Sequence, residues 1–503
     1  MAVSAAVLAL ALAAASQPLA GEAVAAAGCA GVEGDFNGDG TPDTAVADTE
    51  AAVGGATGAG VVHVVYGGGA GTLELTQEAA KAGPSEKGDR FGFAMATYDA
   101  DLDGCADLAI GTPYEDIGTA ADSGRVVVVH GSPAGLGAGR TTVEYVQQTA
   151  PLATMAAEAG DWMGYAVEAG KSAQGVPFLV VGIPGEDIGT SVDAGGFVYF
   201  SGSTTVTAGV VNQDTATAGA VPDAVESYDR FGETLVATPN FLAVGSPGEA
   251  EGSYDQSGAV TVFNHTLTSG APKPLSAITQ NSADVAGACE TGDGFGTALA
   301  AVTPLTPAGS GPKMLLAVGI PGEDLTLAAG NTVVDAGAVQ VFSIDSAGAH
   351  TETAWIDQNV ADVEDLVEAG DHFGRTLTAH MGNKIPHLAV GVPGQDAGGV
   401  LDRGAVQLFL MYEPTGATDV LLEPGGRIPA PEGAAGLYTG LSLGSSPAGL
   451  VVGTPYGPAE GHAAHLFPWP PFGANWGAAP SKSFRPGQDG LPAGDSAFGT
   501  VVR

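Results

Sequence analysis

The stretch DRFGFAMATYDADLDGCADLAIGTPYEDIGTAADSGRVVVVHG, residues 89–131, holds three short signatures in order. They are GDRFG at 88–92, LAIGTP at 108–113 and GRVVVV at 124–129. Each recurs along the chain. GDRFG returns as GDWMG (160–164), YDRFG (228–232), GDGFG (292–296), GDHFG (370–374) and GDSAFG (494–499). LAIGTP returns as LVVGIP (179–184), LAVGSP (242–247), LAVGIP (316–321), LAVGVP (388–393) and LVVGTP (450–455). GRVVVV returns as GGFVYF (195–200), GAVTVF (258–263), GAVQVF (337–342) and GAVQLF (404–409). A weaker fourth element carries Gln near its end, as in TVEYVQQ (142–148) and TAWIDQN (353–359).

Each unit therefore contains four short apolar or alternating segments punctuated by Gly, Pro and Asp. That is the pattern of a four-stranded antiparallel sheet. One such sheet has two open edges and too little core, and stacking sheets around an axis solves both problems. The expected fold class is all-β, a seven-bladed β-propeller of four-stranded antiparallel blades spanning 28–503. Blade starts fall near Phe91, Met163, Phe231, Phe295, Phe373 and, in the degenerate GLYTGL at 436–441, Leu437. A seventh start at Phe498 has only one strand's worth of chain behind it. Residues 29–75 hold the strand-like DFNGDGTPDTAVAD (35–48) and AGVVHVVYG (59–67) with no FG ahead of them. The expectation is a ring closed by the C-terminal strand joining the N-terminal blade. The alternative is a truncated eighth unit.

Two loops carry alternating oxygens. DADLDGCAD places Asp99, Asp101 and Asp103 at positions 1, 3 and 5, Gly104 at 6 and Asp107 at 9. DFNGDGTPD places Asp35, Asn37, Asp39, Gly40 and Asp43 in the same places. Position 7, Thr41 or Cys105, can offer its backbone carbonyl. Oxygens so spaced on a tightly turned backbone converge on a hard cation, and a cage made wholly by protein suits calcium better than magnesium. The loops differ from an EF-hand: Val46 and Ile110 stand where a Glu would close the cage, and a strand pattern follows at once. Two calcium ions are expected, each pinning the connection between a blade's first two strands.

With FG, then DxDxDGxxD, then VGIP, the chain resembles an FG-GAP repeat protein, the repeat of the integrin α-subunit propeller, over essentially residues 29–503. The resemblance implies calcium at Asp35, Asn37, Asp39, Thr41, Asp43 and at Asp99, Asp101, Asp103, Cys105, Asp107. It implies ligand recognition by loops on the opposite face. Leg domains, a transmembrane helix and an inserted adhesion domain are not found in the sequence. The high Ala and Gly content resembles secreted bacterial members.

The formal charge is −40, from 16 basic and 56 acidic residues. Such a balance disfavours nucleic acid and anionic lipid as partners. Residues 1–27 hold an apolar stretch and then small residues, read as a signal peptide, although the usual basic n-region is missing. No other stretch is long and apolar enough to span a bilayer. AAGC at 26–29 is a poor lipobox, because Ala26 stands where a larger aliphatic residue is usual. Of three cysteines, Cys29 and Cys105 flank the acidic clusters and form the expected disulfide if those clusters are neighbours; Cys289 is then free.

Other features were weighed. The acid pairs Glu115/Asp116, Glu186/Asp187 and Glu323/Asp324 repeat with the strands, so they read as turn and rim residues rather than a catalytic pair. GLSLG at 440–444 formally frames Ser442 as a nucleophile but lacks a strand–elbow–helix context. Phe467, Trp469, Phe472 and Trp476 form an aromatic group that reads as packing under the last blade, with a glycan or peptide platform as the other reading. The function expected is a secreted, monomeric, calcium-binding, non-catalytic adhesion-type module for an extracellular protein or glycan. The alternatives are a secreted hydrolase, similar to phospholipase relatives that carry these repeats, or a structural envelope component.

Overall fold

The computed structural model describes residues 28–503 apart from 307–310, 312, 329, 361, 362, 365, 413–418, 471–475, 478 and 495. The signal peptide expected over 1–27 lies outside these residues. The described chain forms seven four-stranded sheets, each paired antiparallel in chain order. The second blade shows the rule: Ala94–Tyr98, Asp107–Thr112, Arg125–Val129 and Val143–Tyr145 run from the axis outward. The middle strands are buried along their whole length because another blade covers each face. This is why LAIG and VVVV read as continuous apolar runs rather than alternating ones.

The innermost strands are Ala94–Tyr98, Val167–Lys171, Thr234–Ala237, Ala298–Val302, Thr376–Gly382, Ser442–Ser446 and Val501–Val502. Each packs on the next, and the last returns to the first. Closure is made by the C-terminal strand. Val502 pairs with Val46 and Val501 with Ala47, antiparallel, at the inner edge of the sheet formed by Thr44–Asp48, Val61–Val65 and Thr72–Leu75. Ala45 and Arg503 exchange backbone hydrogen bonds of 2.7 and 2.9 Å. The Asp48 carboxylate accepts the N–H groups of Ser496 and Ala497 at 2.7 and 3.0 Å. The segment from Phe498 thus completes the first blade and starts no eighth unit.

The three signatures are one lock between neighbouring blades. Phe91, Met163, Phe231, Phe295 and Phe373 are completely buried between blades. The Gly opening the third signature runs parallel beside the next blade's FG backbone, as in Gly124–Met163, Gly195–Phe231 and Gly337–Phe373. The Gly of LAIGTP is excluded from substitution by close approach: a Cβ on Gly111 would lie 2.1 Å from the Gly164 carbonyl oxygen, and one on Gly319 would lie 2.1 Å from that of Gly374. Backbones this close leave no room for a side chain.

Candidate functional site

Residues 99–107 join the first two strands of the second blade. Asp99, Asp101 and Asp103 bring one carboxylate oxygen each to within 4.8 Å of one another. Asp101 Oδ1 accepts the Asp103 N–H at 3.3 Å, and Asp103 Oδ1 accepts the Cys105 N–H at 2.8 Å. Asp107 is fully buried and clamps the loop's ends by accepting from Ala100 at 2.7 Å and Gly131 at 2.8 Å. Asp99 Oδ1 is buried without a hydrogen-bond partner. An unsatisfied buried acceptor costs about 1–3 kcal/mol, so this trio fits a hard cation that would take that oxygen. Burial, reinforced by Asp101, Asp107 and Asp99, raises the Asp103 carboxyl above its usual range. Lys171 reaches Asp99 at 3.4 Å and Arg140 reaches Asp101 at 3.2 Å, which offsets part of the charge.

The first loop has the same frame but a different centre. Asp35 accepts the N–H groups of Gly38, Asp39 and Gly40 at 2.7, 3.2 and 2.7 Å. Asn37 accepts from Asp39 at 3.0 Å, and Asp39 accepts from Thr41 at 2.8 Å. Asp43 spans Phe36 and Gly67 at 2.8 and 2.7 Å, and burial pushes its carboxyl up to about 6. Its acids are not gathered into a trio like that of the second loop, and the amide of Asn37 holds the middle position. The loops lie side by side. The Cys29–Cys105 disulfide joins them, with Gly31 N–H to Gly104 O and Ala106 N–H to Asp35 O, both 2.9 Å. Cys289 is free and buried.

The seven innermost strands enclose an axial channel. At the mouth beside the second acidic loop it holds a cavity of about 470 Å³, whose lining includes Glu33, Glu168, Thr378, His380 and Arg503. Glu168 is half-buried in the wall. Burial pushes its carboxyl up to about 7 against the opposing pull of Arg503, with a backbone hydrogen bond at Ala237 and the charge of Glu33 as smaller influences. Glu33 opens to the channel, yet protein crowding raises its carboxyl too, again opposed by Arg503. Arg503 Nε donates to the Met95 carbonyl at 2.6 Å, which fixes the guanidinium. His380 stacks on Trp469 with ring centres 5.2 Å apart, and burial lowers its pKa. No motif announced this group. The available signal was a carboxylate in YAVEAGK (165–171) where the other innermost strands are apolar or hydroxylic.

On the opposite face the repeated acids form a second system. The Glu of each PGED turn is buried and receives a Gln side chain from the preceding blade: Gln77 to Glu115 at 2.8 Å, Gln213 to Glu249 at 2.7 Å and Gln280 to Glu323 at 2.7 Å. Gln147 donates to both Asp161 at 2.8 Å and Glu186 at 3.2 Å. The Asp before each FG accepts an N–H three residues back, as Asp293 does from Glu290 at 2.6 Å. Burial first, and the neighbouring Asp second, push Glu186, Glu249 and Glu323 up to about 8. The turn reading therefore holds for Asp116, Asp187 and Asp324, which accept the N–H groups of Asp122, Asp193 and Asp335 at 2.9 Å, but not for their Glu partners. Those lie inside the blade junctions because the turn folds back onto the neighbouring sheet.

Ser442 sits in a channel-lining strand rather than at an elbow. Phe467 and Trp469 are buried and Trp476 packs against their cluster, as the packing reading expects, while Phe472 lies outside the described residues.

The FG-GAP repeat family model matches residues 91–129. With seven blades closed in a ring, the chain is an FG-GAP β-propeller. No curated protein matches it. Three solved structures share the fold. The periplasmic gluconolactonase PpgL of Pseudomonas aeruginosa is 12% identical, with 91% of this chain and 98% of that one covered and a TM-score of 0.44. A 6-phosphogluconolactonase candidate from Bacteroides uniformis is 9% identical, with coverages of 91% and 98% and a TM-score of 0.42. Saccharomyces cerevisiae Sqt1 is 9% identical, with coverages of 74% and 82% and a TM-score of 0.35. The first two names are those of hydrolases, so these findings side with the hydrolase alternative. The expectation of a non-catalytic adhesion-type module is corrected accordingly, although at such identities the likeness is one of fold. Among the described residues no helix is long and apolar enough to cross a membrane.

Proposed function

We propose that this chain is a hydrolase acting at the mouth of the axial channel that adjoins the second acidic loop. One observation carries the reading: Glu168, enclosed and titrating near neutrality, shares a channel cavity with Glu33 and a fixed Arg503. A carboxylate with that pKa is matched to general-base work near pH 7. Glu168 takes a proton from water as the water attacks an ester-type carbon. The Arg503 guanidinium stabilises the developing oxyanion. Glu33, in its protonated form, returns a proton to the leaving oxygen. The small, polar cavity favours small esters and cyclic esters over polymers.

The test is a hydrolysis panel of esters, lactones, phosphodiesters and glycosides. Glu168→Gln should lower kcat by about 10²-fold or more with an unchanged melting temperature. The rate should rise with pH through about 7, as the base ionises. No turnover on any member, or full activity in Glu168→Gln, overturns the reading.

The same reading includes two structural calcium ions, one held by Asp99, Asp101, Asp103, the Cys105 carbonyl and Asp107, the other by Asp35, Asn37, Asp39, the Thr41 carbonyl and Asp43. The gathered carboxylates and the orphaned Asp99 oxygen support the first of these more strongly. Calcium would hold the loops and lend rigidity to the channel mouth, and takes no part in the chemistry above. Export after removal of residues 1–27 and action as a monomer complete the proposal; the Cys29–Cys105 disulfide suits an oxidising compartment.

A further inference from the structure

A second cavity lies away from the axis, between the second and third blades beside the 99–107 loop. It measures about 240 Å³. Its walls are aromatic: Tyr98 and Tyr145 from one blade, Phe178 and Phe200 from the next. Tyr145 and Phe200 stack across the junction with ring centres 4.2 Å apart. Two basic side chains, His130 and Arg140, also line it.

His130 is 3% exposed. Its Nδ1 lies 3.3 Å from Asp107 Oδ1 and 3.8 Å from Asp101 Oδ2. The ring's other nitrogen, Nε2, is buried and has no hydrogen-bond partner. Because Nδ1 faces the loop, Nε2 is on the far edge of the ring, toward the cavity. With the proton on Nδ1, Nε2 presents a lone pair that a ligand hydroxyl can fill. Arg140 is half-exposed at the rim and spends one nitrogen on Asp101, at 3.2 Å, so its remaining donors are available to an anion. A cavity of about 150 Å³ already accepts benzene. The extra volume here matches a ring with polar substituents.

We propose that this cavity binds a small aromatic carboxylate that also carries a hydroxyl, its ring between Tyr145, Phe200 and Phe178, its carboxylate on Arg140 and its hydroxyl on His130 Nε2. In a chain of formal charge −40, an anion is admitted only where a cation is placed for it. The site is separate from the channel, and its test reads binding rather than turnover, so its failure and that of the hydrolase reading are distinguishable.

The probes are the three hydroxybenzoate isomers, benzoate and the uncharged hydroxybenzamides, titrated by calorimetry and ligand-observed NMR in calcium-containing buffer. At least one hydroxybenzoate should bind saturably, at least about tenfold (1.4 kcal/mol) more tightly than benzoate and than its own amide. Arg140→Gln should remove the preference for the acid over the amide. Val206→Phe, which fills the cavity, should abolish binding in a protein whose melting curve shows it folded. Saturable binding by none of the probes, or binding untouched by both substitutions, overturns the proposal.

Discussion

The two faces of the propeller crowd carboxylates and resolve the crowding differently. On the face of the acidic loops, Asp99, Asp101 and Asp103 converge on a centre that only a cation fills, and an oxygen of Asp99 is left over. On the FG face, Glu186, Glu249 and Glu323 sit near Asp161, Asp229 and Asp293, and the pairs stay compact by keeping a proton up to about pH 8. The junction between the fifth and sixth blades shows the neutral state built in covalently: Gln395 replaces the Glu and receives Gln358. The junction between the first and second blades uses a guanidinium instead, with Arg125 held on Glu115 and, at 2.6 Å, on Glu144. Like charges at short range need a counter-charge, a proton or an isostere, and this chain uses all three.

The contrast can be broken experimentally. The largest effect expected is from calcium. If the loops are saturated at a thousandfold excess over Kd, chelation should remove about 4 kcal/mol per site, seen as a lower melting temperature. Asp103→Ala should abolish the response of one site, and Glu323→Gln should leave both. Next comes Glu115→Gln, which strands the buried Arg125 and should cost about 3 kcal/mol in denaturant unfolding. Gln395→Glu places a second acid near Asp371 and should cost about 1–2 kcal/mol above pH 8, with little cost at pH 5. The smallest effect is a gain: Glu323→Gln should stabilise by about 1 kcal/mol at pH 8.

The pH dependence has a fixed sign. The junction glutamates hold a proton up to about 8 when folded but only to 4.5 when unfolded. Between those values the folded state binds more protons, so their contribution is complete below 4.5 and is lost as pH rises to 8. Melting temperature at constant saturating calcium should therefore fall from pH 5 to 8, and Glu249→Gln with Glu323→Gln should flatten the slope. A melting temperature that rises over that range would show the pairs to be ionised and stabilised by something else.

Much of the architecture is legible in the repeats. FG, VGxP and the following Gly-Val run mark where backbones of adjacent blades touch, and that contact tolerates few residue types. The acidic loops were legible because ligand spacing is local. Glu33, Glu168 and Arg503 were not, since they come from three distant segments and share no pattern; only the ring brings them to one mouth. The junction glutamates were visible as a motif but misread as exposed. Local sequence marks a turn equally well whether it faces solvent or folds against the neighbouring blade.

What the order of residues alone determined is the blade, the number of blades and the two loops, because each depends on contacts within a few dozen residues or on an exact repetition of them. Which acids end up charged, protonated or paired was decided only by closing the ring. A carboxylate's state depends on the neighbours and the water around it in space, and those are supplied by segments hundreds of positions away.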